Sequence, residues 1–225
     1  MERLLANFKI QVNQNTYVKD PETSDLGKRI IQHSILLIDE IGFESFTFKK
    51  LGARINSNES SVYRYFDNKH KLLLYLTSWY WSWVEYQLVF STLNISEPRD
   101  KLKRAIEIIT KPIQLDSKYS HINEVILNKT IINEFSKSYL TKEVDQENKE
   151  GYFEVFKRLS SRIKDMIVEY ASDYTYPSSL ASTLMEGSLY QHFLKDHFRS
   201  ITDCTSDTKH TDFFVSLIFN SLKSS

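Results

Sequence analysis

The groups best suited to chemistry lie between Thr47 and Lys71, and what they suit is holding a polyanion. Lys49, Lys50, Arg54, Arg64, Lys69 and Lys71 stand there against only Glu59 and Asp67, a net charge of +4 for residues 46–71. A local excess of this kind is the electrostatic footprint of a nucleic-acid contact, because each cation can release a counterion from a phosphate. Asn58, Ser60, Ser61, Arg64 and Tyr65 supply short or flexible hydrogen-bonding groups of the kind that touch phosphates and base edges. Lys69-His70-Lys71 falls in the first turn of an expected long helix. Cations there oppose the helix macrodipole, and a bound phosphate would remove the conflict. Solvated lysines, at a cost of roughly a few tenths of a kcal/mol, are the plainer alternative.

These groups need two short helices and a tight turn to present them. Thr47 suits the N-cap of a helix over 48–55, with Leu51 and Ile55 facing inward. Gly52-Ala53 offers the small residue that a crossing helix requires. Asn56-Ser57-Asn58 reads as a polar turn in which Asn56 tolerates positive φ. A second helix over 59–66 would then anchor on Val62 and Phe66, and a 100° wheel leaves Ser60, Ser61, Arg64 and Tyr65 on the other side. The dimensions are those of a helix-turn-helix. Upstream, Ile30, Ile31, Ser34, Leu37, Ile38 and Ile41 mark one face of a helix from Ser24 that Gly42 should stop. Asp67-Asn68 opens a long helix to about Leu93.

Gly42-Phe43, Thr47-Phe48-x-x-Leu51 and Val62-Tyr63-Arg64-Tyr65-Phe66-x-Asn68-Lys69-x-x-Leu72-Leu73 together resemble the N-terminal domain of TetR/AcrR-type transcriptional regulators. The likeness is specific over about residues 24–75 and architectural beyond. It implies an all-α protein, with a three-helix DNA-binding head on a larger antiparallel helical domain for ligand binding and dimerisation. It further implies that Thr47, Tyr63 and Lys69 touch DNA backbone, while exposed residues of the third helix read the major groove. Two residues depart from the pattern. Asn56 replaces the usual turn glycine, and the acidic Glu59 opens the recognition helix, either accepting from a cytosine amino group or simply favouring the helix dipole. The expected division is an arm at 1–23, the head at 24–70 and the helical domain at 71–225.

In the larger domain, helices are expected near 98–111, 121–140, 146–172, 178–199 and 209–223. Trp79 and Trp83 share a helical face, and with Tyr152 and Phe156 they form either an aromatic wall for an apolar effector or plain core. Leu180, Leu184, Phe214, Leu217 and Ile218 lie on the last two helices, the pair that forms a two-fold interface in the resembling family. Such a homodimer would place two recognition helices about 34–36 Å apart, on a near-palindromic operator in double-stranded DNA. In the arm, alternation at Phe8, Ile10 and Val12, with Asn13-Gln14-Asn15 as a turn and Thr16-Tyr17-Val18 returning, suits a short β-hairpin or a loose tail.

Composition agrees with helices. Five glycines and four prolines in 225 residues are too few for many tight hairpins, and they form no phosphate-cradling loop. Gly-x-Ser-x-Gly, His-Glu-x-x-His and paired-cysteine motifs are missing, so neither an enzyme nor a cofactor is expected. His192 and Asp196 sit one turn apart, which suits a polar helix face better than a metal site. The single Cys204 suits a reducing compartment, and without a long apolar run a cytoplasmic protein that leaves membranes alone is expected. The overall charge is zero, yet residues 24–71 carry +2 and residues 72–225 carry −2. A helical protein–protein adaptor is the competing reading.

Overall fold

The computed structural model describes residues 10–113 and 121–223. Among these residues eleven α-helices and three 3-10 turns form, with no strand. The chain divides into two compact units: residues 1–82 with 113–153, and residues 83–112 with 154–225.

In the first unit, α1 (Asp25–Ser45) starts at Ser24, whose hydroxyl accepts the Gly27 N–H at 3.1 Å. Ile30, Ile31, Ser34, Leu37 and Ile38 are buried, as the periodicity requires. Gly42 does not stop this helix. It adopts φ 74°, ψ 156°, kinking the chain before one further turn to Ser45. Gly27 instead makes room for the arm. A Cβ there would stand 2.1 Å from the Pro21 carbonyl oxygen, so the arm crosses where only glycine fits.

The short helices α2 (Phe48–Arg54) and α3 (Glu59–Tyr63) follow, packed on each other, and α4 runs from Lys69 to Thr92. Residues 72–85 of α4 are buried on every side, which marks a central helix rather than an amphipathic surface one. Its residues to Ser82 belong to the first unit and those from Trp83 to the second. The first unit is completed by α6 (Glu124–Glu134), which packs on α1, and by α7 (Ser136–Tyr139) and α8 (Val144–Lys149). Between α4 and α6 in sequence, α5 (Pro98–Thr110) belongs to the second unit.

The anticipated hairpin does not form over the described part of the arm; Phe8 lies outside it. Asn13 caps a 3-10 turn at Gln14–Thr16 instead, and the Val18 N–H donates to the Tyr65 carbonyl at 2.8 Å. That amide, which a partner strand would need, is already satisfied by the head. Likewise the single helix expected over 146–172 is two. Gly151, at φ 83°, separates α8 from α9 (Glu154–Tyr170) because the left-handed region ends a helix.

In the second unit α5 packs on α9, α10 (Pro177–His197) and α11 (Asp207–Lys223). Glu85 is buried and receives Arg158 at 2.5 and 2.7 Å and Arg162 at 2.7 Å. Burial alone would raise its pKa, but the two guanidiniums outweigh it and hold the carboxyl below its ordinary value. The C-terminus of α5 is closed by imidazoles. His192 Nε2 lies 3.2 Å, and His210 Nδ1 2.8 Å, from the Thr110 carbonyl oxygen. His210 Nε2 lies 3.2 Å from the Ser188 carbonyl oxygen, and the two rings are 3.8 Å apart. Burial lowers the pKa of both histidines, that of His192 to about 4. His192 is thus part of a helix cap. Cys204, in the loop before α11, is a buried free thiol.

Candidate nucleic-acid interface

The geometry begins with the turn. Asn56 takes φ 50°, the left-handed value its side chain tolerates, and the Ser57 N–H then donates back to the Gly52 carbonyl at 2.8 Å. A Cβ on Gly52 would meet Ser57 O, Asn58 C and Glu59 N at 3.1 Å each. The second helix therefore crosses the first where a side chain would push it away. Thr47 Oγ1 accepts the Lys50 N–H at 3.2 Å and caps α2.

Asn58 does the same for α3, and more. Its Oδ1 accepts the Ser61 N–H at 2.8 Å together with the hydroxyls of Ser60 at 2.8 Å and Ser61 at 2.6 Å. Both serines thus spend their protons on the cap and keep their lone pairs for a groove. Val62 and Phe66 are fully buried and anchor the motif. Tyr63, 49% exposed, rests its ring edge on Phe48 with centroids 5.0 Å apart and donates its hydroxyl to Glu59 Oε1 at 3.4 Å. Glu59 occupies the first turn of α3, where an acid is favourable.

Tyr65 is a correction. It is 3% exposed, its hydroxyl pairs with Ser24 Oγ at 2.8 Å, and the Lys19 ammonium lies 5.3 Å from its ring centroid. A wheel that continues α3 to Phe66 points Tyr65 outward, but α3 ends at Tyr63 and its angular phase is lost there. Tyr65 fastens the arm to the head.

The cations also sort themselves. Arg54 forms a two-pronged pair with Glu40 at 2.5 and 2.7 Å and lowers the pKa of that carboxyl. Lys50 donates to the Ser45 carbonyl at 2.8 Å. Lys69 donates to the carbonyls of Phe43 at 3.0 Å and Glu44 at 3.1 Å, with the Phe43 ring centroid 4.8 Å away. His70 pairs with Glu147 at 2.8 Å, and Lys71 contacts the Tyr152 hydroxyl and ring. The Lys69-His70-Lys71 conflict at the start of α4 is therefore relieved inside the protein. Asn68 caps that helix by accepting the Lys71 N–H at 2.8 Å. Among the described residues, Lys49 of α2 and Arg64, just after α3, remain exposed with no hydrogen-bond or ion-pair partner. Nothing in the sequence around Lys49 distinguishes it from Lys50, so only the structure separates the free cation from the engaged one.

Such a surface offers acceptors from two serines, a guanidinium, a lysine and a half-exposed phenol on a rigid turn. Residues 30–76 match the family model described as bacterial regulatory proteins, tetR family. That match covers the head and the first turns of α4, and there the chain is similar to tetR-family regulators. Its head has the fold of the DNA-binding domain of such bacterial regulatory proteins. No curated protein sequence matches it.

Solved structures agree in fold. A tetR-family regulatory protein from Rhodococcus RHA1 is 13% identical, with TM-score 0.61 over 88% of this chain and 97% of that one. AibR in complex with isovaleryl coenzyme A and operator DNA is 17% identical, with TM-score 0.60 over 85% and 98%. The superantigen PfiT is 17% identical, with TM-score 0.58 over 92% and 100%.

Outside the head, Trp79 and Tyr152 are buried in the first unit, and Trp83 and the half-buried Phe156 belong to the second. Tyr152 donates its hydroxyl to Glu150 at 2.6 Å, so it serves a polar network rather than an apolar wall. Leu180, Leu184, Phe214 and Ile218 are buried within the second unit, and Leu217 is half-buried. The four buried residues form its core, which corrects their reading as a partner-facing surface, whereas Leu217 keeps part of its surface. Helical periodicity finds an apolar face without saying what covers it. Exposed apolar groups from α10 onward are Tyr190 (58%), stacked on Phe193 with centroids 6.4 Å apart, together with Phe198, Ile201 and Phe213. Among the described residues no helix is long and apolar enough to cross a membrane.

Proposed function

We propose that this protein is a transcriptional regulator that binds a near-palindromic operator as a homodimer and represses until a small-molecule effector releases it. The observation that carries the DNA half is the Gly52–Asn56 crossing, which holds α3 at a fixed angle with Ser60, Ser61, Tyr63 and Arg64 outward. Thr47, Asn58 and Lys69 act in this reading mainly as supports, through the caps and carbonyl contacts described above. The likeness to AibR, a complex with an acyl-coenzyme A and operator DNA, supports the effector half. Trp83 supports it too: its indole N–H is buried and, among the described residues, has no acceptor. For the dimer, Tyr190 and Phe193 on α10 replace the buried leucines as the surface for a second copy.

Selection of bound duplexes from a random pool tests the proposal. A two-fold consensus with half-sites about one helical turn apart is expected. The fold alone does not decide the matter, since PfiT shares it and is described as a superantigen. No enriched sequence, together with a stable complex with another protein, would favour an adaptor instead. Tryptophan fluorescence during titration with short-chain acyl-coenzyme A thioesters tests the effector, with saturable quenching expected.

A further inference from the structure

The last turn of α1, Phe43 to Ser45, is gripped from two helices. Gly42 rotates the backbone out of the helical ladder, so the Phe43 N–H points away from the carbonyls behind it. Phe43 is buried, and a buried N–H without an acceptor is costly. Glu134, the last residue of α6, supplies one: its Oε1 accepts that N–H at 3.1 Å, across 91 residues of sequence. A Cβ on Gly42 would lie 3.9 Å from the same oxygen. Lys137 holds the carboxylate in place, 2.6 Å from Oε2 and 3.4 Å from Glu44 Oε1. From the other side, Lys69 of α4 takes the carbonyls of Phe43 and Glu44. Three residues after Glu44 stands Thr47, which caps the first helix of the DNA-reading motif.

We infer that Glu134 is a positioning residue for DNA binding: through the Phe43 N–H it fixes the turn that sets Thr47 and α2, and so ties α6 to the reading head. This rests on the DNA-binding reading above and adds to it a residue far from any DNA contact. The carboxylate acts as a hydrogen-bond acceptor rather than as a charge facing the duplex. A Gln in its place keeps the acceptor, whereas Ala removes it and leaves the amide orphaned.

The test uses the full chain and the duplex selected by the wild-type protein, with anisotropy titrations over a range of salt. Glu134→Ala should weaken binding at least tenfold with the salt slope unchanged, since no phosphate contact is lost. Glu134→Gln should restore affinity to within threefold of wild type. Glu134→Asp keeps the charge but draws the carboxylate back; it should weaken binding measurably, and it decides the question if the alanine variant does not fold. Wild-type affinity for Glu134→Ala, failure of Gln to rescue, or wild-type affinity for Glu134→Asp would each overturn the positioning role alone. A wild-type chain that enriches no duplex would overturn the DNA-binding reading, and this role with it.

Discussion

At the scale of single residues, the head separates cations that read from cations that build. Arg64 is exposed and unpartnered among the described residues, whereas Lys69 spends two donors on the carbonyls at the end of α1. Arg64→Ala should therefore flatten the slope of log affinity against log salt by about one unit and leave the melting temperature unchanged. Lys69→Ala should lower the melting temperature by several degrees, because it frees two helix-end carbonyls, and scanning calorimetry beside the titrations would separate the two effects. Equal melting temperatures for the two variants would contradict this division. That positive charge gathers here is legible in the sequence, as are the crossing glycine and the left-handed asparagine. Which cations are engaged is not, because the acceptors of Lys69 are backbone atoms of residues 43 and 44 whose direction depends on a kink.

At the scale of elements, short helices depend on their ends and crossings. Gly52→Ala would place a Cβ against three backbone atoms at 3.1 Å. It should destabilise the head by about 1–3 kcal/mol, visible as an earlier chemical-denaturation midpoint. The cap on α5 behaves differently, because it titrates. His192 and His210 are held neutral by burial, with folded pKa values below the unfolded one, near 4 for His192. The unfolded chain takes up protons first as acid is added, so the contribution to stability is complete above about pH 6.5 and is lost as the pH falls toward 4. Lys195 and Asp207, paired at 2.9 Å, are the charged groups that act on both rings, the lysine lowering and the aspartate raising their pKa values. Urea melts across the range from about neutral pH down to the His192 value should show this loss, and His210→Asn should reduce it. Helix periods are legible in the sequence to within a few residues, but the breaks are not. Gly42 carries the stronger stop signal yet only kinks its helix, while Gly151 ends one.

At the scale of the whole molecule, the neutral total charge conceals +2 on residues 24–71 and −2 on residues 72–225. Such a distribution favours a polyanion at one segment without coating the chain in cations. The proposed homodimer predicts that Tyr190→Glu combined with Phe193→Glu weakens self-association more than tenfold, measured by light scattering after size exclusion. A dimer unaffected by those changes would move the interface elsewhere. Fold class is readable from composition and period alone, whereas the surface for a partner is not. Leucines that seal a unit and leucines that seal a dimer follow the same 3.6-residue rhythm, and only burial distinguishes them.

The loop before α11 holds the chain's one sulfhydryl, Cys204, out of solvent. A thiol reagent can reach it only when that loop opens. With no second cysteine to complicate the signal, the labelling rate measures how often the opening occurs. The protein thus carries its own gauge of local breathing, readable by mass spectrometry without installing a probe, and duplexes or effectors can be compared by how far each slows that reaction.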